Sequence, residues 1–155
     1  MPTEVKTMET YSEKIRWLRR YREAMRVEDR LRDQISAVRA RMESTSQALR
    51  PVAGGGGGDG NAIERGVELL DRYQQTLRDQ VEESERTRRD IETAIAALPD
   101  PLQQEVLQAR YIDGLPVWKT ANRLYISESW VKEIQRKAIE NLKIVSASVP
   151  LAAVK

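Results

Sequence analysis

The chain has 155 residues, enough for one ordinary domain or for a small domain with a helical appendage. Its net charge of +2 comes with a basic isoelectric point near 9.0, and it lacks cysteine, histidine and phenylalanine. That excludes disulfide frameworks, thiolate and imidazole metal sites and histidine acid–base catalysis, and the 32% of charged residues points to long helices rather than a thick core.

Residues 1–9 carry no periodic pattern and are expected to fray. Thr10-x-x-Glu13 is a candidate capping box, opening a long helix that runs to about Leu49. Its inner stripe is Ile15, Leu18, Tyr21, Met25, Leu31, Ile35, Val38, Met42 and Leu49, interrupted by Glu28. Pro51-Val-Ala, a run of glycines, Asp59 and Gly60 then form a flexible link over 51–60. A phosphate cradle would need Gly-Lys-Ser/Thr opening a helix, and Asn61-Ala62-Ile63 supplies none of it.

A second long helix is expected from about Ala62 to Leu98, with Asn61 and Glu64 as its cap pair. Val67, Leu70, Gln74, Leu77, Val81, Ser84, Arg88, Ile91, Ile95 and Leu98 alternate by three and four, a heptad seam with polar positions that fix register. The two helices predict an antiparallel, coiled-coil-like hairpin over 10–98, whose thin core calls for a partner, most simply a second protomer in a dimer. The first helix is rich in arginine and the second in carboxylates. These charges read as solvated faces and hairpin salt bridges, or, at Arg16, Arg19, Arg20, Arg22 and Arg26 with Trp17 and Tyr21 interleaved, as a second nucleic-acid or partner surface.

Asp100-Pro101 marks the start of a compact unit over 100–145: Asp caps, and Pro takes the first helical position. Leu102, Val106, Leu107 and Ile112 supply an inner face, and Gly114 is placed to end the helix in the left-handed region. Pro116 opens a second short helix with Val117, Ala121 and Leu124 inward. Tyr125-Ile126-Ser127 is a tight turn, and Ser127 caps a last helix. There Val131, Ile134, Ala138 and Leu142 face inward while Ser129, Lys132, Glu133, Arg136 and Glu140 face outward. That is the form of a helix that lies in a DNA major groove. The fold class is therefore all-α: a long antiparallel helical hairpin followed by a small three-helix unit ending in a helix-turn-helix. Residues 146–155 are expected to be a disordered tail.

The run Glu105-Val106-Leu107, Arg110-Tyr111, Ala121, Leu124, Ser127, Val131, Ile134, Lys137-Ala138-Ile139 and Leu142 resembles region four of bacterial sigma factors. Within that class RYIDGLPVWKTANRL with SESWVKEIQRKA is most similar to phage-borne sigma-like regulators of the ArpU/RinA kind, which implies a transcriptional activator of late phage genes. Nothing comparable precedes it. The family's base-reading and phosphate-contacting positions fall on Glu128, Ser129, Lys132 and Glu133, of which only Lys132 keeps the usual charge. The turn carries Tyr125 where glycine is usual, and a tyrosine takes positive φ only at a cost of about 1 kcal/mol, which leaves room for a reshaped turn.

The resemblance implies double-stranded DNA as partner, with Ser127 to Lys137 in the major groove. Lys132 and Arg136 would meet guanine edges or phosphates, Ser129 and Glu133 base amino groups, and Lys119 and Arg123 the backbone. Trp130, beside Lys137, would touch a partner, a sugar or a thymine methyl, or cover the core edge. The hairpin would dimerise or contact RNA polymerase. Two other readings share this composition. One is a phage small terminase, where the DNA-binding unit usually comes first. The other is a coiled-coil adaptor binding only protein, favoured by acidic Glu128 and Glu133. Neither an enzyme nor a cofactor is expected, since the carboxylates sit at solvated helical spacing and none has a metal-loop pattern. With no long apolar run and a charged N-terminus, no membrane partner is expected, and the setting is the cytoplasm of a bacterial host.

Overall fold

The computed structural model describes residues 5–7, 10–48 and 60–147. Of the expected flexible link over 51–60 only Gly60 is described, and it already begins the second helix; the rest of the link and most of both terminal segments lie outside these residues. In chain order the elements are β1 Val5–Thr7, α1 Tyr11–Ala48, α2 Gly60–Ala96, α3 Pro101–Leu107, a π turn Gln108–Ile112, α4 Val117–Leu124, α5 Glu128–Asn141 and β2 Val145–Ala147. The predicted helical hairpin and helix-turn-helix are both present. The strands are an addition: β1 pairs antiparallel with β2 in the register Val5↔Ala147, Lys6↔Ser146, Thr7↔Val145, where a frayed start and a tail from residue 146 were expected.

The chain divides into two compact units, Met1–Glu23 with Arg86–Lys155, and Ala24–Glu85. In the first, Arg88 of α2 lies 5.9 Å from the Tyr21 ring of α1. In the second, a Cβ on Gly66 of α2 would stand 2.7 Å from Met42 Cγ of α1, so glycine lets the helices approach there. Rising numbers on α1 meet falling numbers on α2, which makes the pair antiparallel.

Within Ala24–Glu85, Leu31, Ile35 and Val38 are buried, whereas Leu70, Leu77 and Val81 are half-buried and Val67 is 45% exposed. Two polar residues complete this packing. Glu28 is only 4% exposed, and its carboxylate is stabilised by Arg32 one turn on, at 3.0 Å. Ser84 is buried and accepts from Gln80 Nε2 at 3.3 Å.

In the other unit, Glu13 N donates to Thr10 Oγ1 at 3.2 Å, the first half of the predicted capping box. The proposed Asn61–Glu64 cap pair is corrected: α2 already begins at Gly60, so Asn61 lies inside the helix. α2 ends at Ala96, two residues before the expected Leu98, because the chain turns there. Leu98 N donates to Ile95 O at 3.0 Å, and Leu98 O accepts from Gln104 Nε2 at 2.5 Å.

Asp100 accepts from Leu102 N at 2.9 Å and Pro101 opens α3, as the sequence predicts. The helix then widens into the π turn, with Asp113 N donating to Gln108 O at 3.0 Å. The wide turn buries Ala109, Tyr111 and Ile112. Arg110, between them, points elsewhere and ties two elements: Nε donates to Gln135 Oε1 of α5 at 2.8 Å and Nη1 to Leu115 O at 2.7 Å. Gly114 (φ +71°) then reverses the chain, and Leu115 N closes onto Ala109 O at 2.9 Å. A side chain at Gly114 would meet the Arg22 guanidinium of α1, whose Nη1 donates to Ile112 O at 3.4 Å.

Val106, Ala121, Val131 and Ile134 form the centre of the helix-turn-helix core, with Leu102, Val117, Leu124 and Ile126 packed around it. Lys14 of α1 is 8% exposed, and its Nζ donates to Glu140 O, in the last turn of α5, at 2.9 Å. A cation there meets the negative end of the helix as well as an otherwise unused carbonyl. Tyr125 ends α4 with φ 57°, ψ 41°, so the turn keeps the glycine geometry instead of being reshaped. Ile126 N then donates to Ala121 O at 3.1 Å.

Lys14→Met keeps the buried stem but leaves the Glu140 carbonyl without its donor. It should cost about 1.5–3 kcal/mol in urea unfolding, the range for a hydrogen bond to a charged group, and an unchanged midpoint would contradict that role. Tyr125→Asn, which tolerates the left-handed region, should leave stability unchanged or raise it by up to about 1 kcal/mol. A loss larger than that would mean the tyrosine ring holds the turn.

Candidate nucleic-acid interface

α5 is held from both ends. At its start Ser127 has an extended backbone (φ −76°, ψ 157°), and its Oγ accepts from Trp130 N at 3.1 Å. At its end Lys14 takes the Glu140 carbonyl. Along its length Val131, Ile134, Ala138 and Ile139 are buried, and the helix packs on α3 and α4. That packing leaves Glu128, Ser129, Lys132 and Arg136 exposed, with Glu133 half-exposed.

The outer face carries its own ion pairs. Arg136 forks between two carboxylates: Nη2 is 2.6 Å from Glu133 Oε1 and Nη1 is 2.8 Å from Glu140 Oε1. Lys137 Nζ is 3.7 Å from the same Glu133 oxygen and 5.9 Å from the Trp130 ring centroid. The Arg136 hydrogen bond holds the Glu133 carboxyl below its ordinary range, and Glu133 in turn raises Arg136. Among the described residues Lys132 has no hydrogen-bond or ionic partner. Trp130 is 45% exposed, so the Lys137 stem and this ring shape one flank of the face.

On α4, Lys119 and Arg123 are exposed and one turn apart. Lys119 Nζ lies 5.3 Å from the ring of Trp118, which is 52% exposed. Arg123 Nη1 is 2.5 Å from Asp113 Oδ2, so it is already paired across the preceding loop. Beside the turn an open cleft of about 810 Å³ is lined by Glu92, Ile95, Gln104, Glu105, Arg123, Leu124 and Tyr125, the last 94% exposed.

The arginines of the first helix separate by environment. Arg16 and Arg19 are exposed in the unit that contains α5, and Arg26 is exposed in Ala24–Glu85. Arg20 and Arg22 are half-buried. Arg20 Nε donates to Trp17 O at 3.1 Å and its guanidinium lies 5.0 Å from the Trp17 ring, while Arg22 is engaged at Ile112 O.

Sequence reasoning missed Lys14, Arg110, Gln135 and Tyr111 as parts of this interface's support. Gln135 Nε2 lies 3.5 Å from the Tyr111 hydroxyl, and burial pushes that phenol above its ordinary range. The Arg110-Tyr111 pair in the sigma-like pattern was the available signal. Lys14 gave none, because a lysine beside an apolar stripe looks the same whether it is solvated or bonded. Among the described residues no group of acidic, histidine or cysteine side chains is arranged to hold a metal ion, and no helix is long and apolar enough to cross a membrane.

Residues 94–143 match the family model for sigma-70, region 4. A search of curated proteins gives no match, and neither does a search of solved structures. The matched segment spans the end of α2, α3 with the π turn, α4, and α5 with its Ser127 cap, but not Lys14. The match covers about a third of the chain, so residues 94–143 form a helix-turn-helix similar to sigma-70 region 4, which supports a DNA-binding regulator in general.

Proposed function

We propose that the protein is a sequence-specific transcriptional regulator that reads duplex DNA with α5, acting as a late-gene activator of a bacteriophage. The observation that carries this reading is the outer face of α5. Exposed Ser129, Lys132 and Arg136 and half-exposed Glu133 stand opposite a fully packed inner face, in a segment matching sigma-70 region 4. Ser127, Glu128, Trp130 and Lys137 border that face, and Lys119 and Arg123 of α4 are the backbone-holding cations. Lys132 and Arg136 suit guanine edges or phosphates; Ser129 and Glu133 suit base amino groups.

The hairpin serves dimerisation or contact with RNA polymerase in this reading. The half-buried and exposed positions of the α2 seam in Ala24–Glu85 favour a covering partner there. Of the first-helix arginines, Arg16 and Arg19 are the best suited to a second phosphate or acidic partner, because Arg20 and Arg22 are engaged within the fold. A second reading, an adaptor whose C-terminal unit binds only protein, is favoured by the ion pairs that already occupy Arg136.

The two readings separate in a mobility-shift titration over a salt series, on DNA from the gene's own neighbourhood. The regulator predicts a specific, salt-sensitive complex that Lys132→Ala/Arg136→Ala weakens by about 10-fold or more, as expected for two lost contacts of about 1 kcal/mol each. Equal, weak binding by both proteins on every duplex would favour the adaptor.

A further inference from the structure

The DNA-facing side of a helix-turn-helix usually gains affinity by neutralising phosphates, and each neutralised phosphate steepens the salt dependence by about 0.9 in log–log slope. The outer face of α5 is arranged against that gain. Arg136 is bonded to Glu133 and Glu140, and Lys137 shares Glu133. To reach a phosphate, Arg136 must leave two carboxylates, which then stand unpaired before a polyanion. Glu128 adds a further exposed carboxylate at the start of the same helix. Only Lys132 is ready to bind without first breaking an ion pair on the helix.

A carboxylate on a groove-facing helix has few attractive partners in DNA. It is repelled by phosphate and by the acceptor atoms of guanine and thymine, and it is attracted by the amino groups of cytosine and adenine. Glu133 lies one residue from Lys132 and three from Arg136, at the centre of the proposed reading face. A base amino group placed there could replace Arg136 as the donor to Glu133. Arg136 would then be held by Glu140 alone and could turn to a guanine edge or a phosphate at the same step.

We propose that Glu133 is the specificity-determining residue of α5: the Glu133–Arg136–Glu140 network withholds Arg136 from non-cognate DNA and releases it only where Glu133 meets a base amino group. This rests on the reading of α5 as the DNA-contacting helix. The device makes discrimination depend on a penalty for wrong sequences as much as on contacts with the right one. It also predicts non-specific binding that is weak and only shallowly dependent on salt. Both carboxylates are partly exposed, so removing either leaves the core beneath them unchanged.

The test compares full-length wild type, Glu133→Ala and Glu140→Ala on a randomised duplex pool. Affinity is followed by fluorescence anisotropy between about 50 and 200 mM salt, and preference by sequencing the bound fraction. Both variants should bind the unselected pool up to about 10-fold more tightly at the lowest salt and with a steeper salt slope, because each removes one carboxylate that faces the polyanion and one of the two ion pairs of Arg136. Glu133→Ala alone should lose selection for an amino-bearing base at one position of the site, a preference of roughly 10-fold that Glu140→Ala retains. Wild type that selects a site while both variants match it in affinity and preference would overturn the proposal and leave DNA reading intact. Wild type that binds the pool but selects nothing would also overturn it. Failure of all three proteins to bind any duplex at the lowest salt would instead remove the DNA-reading helix itself.

Discussion

The buried side of α5 is the constraint on which the proposed reading surface depends. Four side chains, Val131, Ile134, Ala138 and Ile139, are withdrawn from water along this helix. With one side committed to the core, the direction of every outer side chain is fixed by the helical period. The two ends are then secured by different means. Ser127 satisfies an orphan amide at the start, and Lys14 satisfies an orphan carbonyl at the end. Because Lys14 belongs to α1, the helix-turn-helix is completed by a residue far away in sequence.

That dependence explains why the first turns of α1 sit in the same compact unit as α3 to α5. Trp17, Leu18 and Tyr21 are buried, and Arg22 reaches the Ile112 carbonyl just before the Gly114 turn. The glycine serves two purposes there. It accepts the positive φ that ends the π turn, and it leaves room for the Arg22 guanidinium. Arg110 performs a similar task from the other side, joining the Leu115 carbonyl to Gln135 of α5. The preceding loop and the proposed reading helix are thereby held to one another by polar contacts as well as by the shared core.

Much of this was legible in the sequence where local chemistry decides the outcome. Asp100-Pro101, Gly114 and Ser127 each have one dominant local use, and each has it here. The inner faces of α3, α4 and α5 followed from periodicity, because burial of one face is what fixes these helices in place. The π turn was not legible: one extra residue in a turn changes which side chains point inward without changing composition. The strand pair was hidden for a related reason, since β1 and β2 lie at opposite ends of the chain and pair only once the fold brings them together. Tyr125 shows the limit of propensity. A cost near 1 kcal/mol is small beside the packing that requires the turn, so the backbone adopts the geometry and the residue tolerates it. The side chains expected to face outward on α5 are exposed or half-exposed, but their mutual ion pairing depends on rotamers that spacing alone does not specify.

In the proposed complex the outer face of α5 enters the major groove. That placement is tested most directly by site-specific crosslinking, which the chain's lack of cysteine makes clean. A single thiol is introduced by Ser129→Cys on α5 or, as a comparison, by Thr93→Cys on the exposed side of α2. Each protein is mixed with duplexes carrying a thiol tethered in the major groove. Rapid disulfide formation from position 129 and little from position 93 is expected if α5 lies in the groove. Equal crosslinking from both, or none from 129 on duplexes the protein binds, would contradict it.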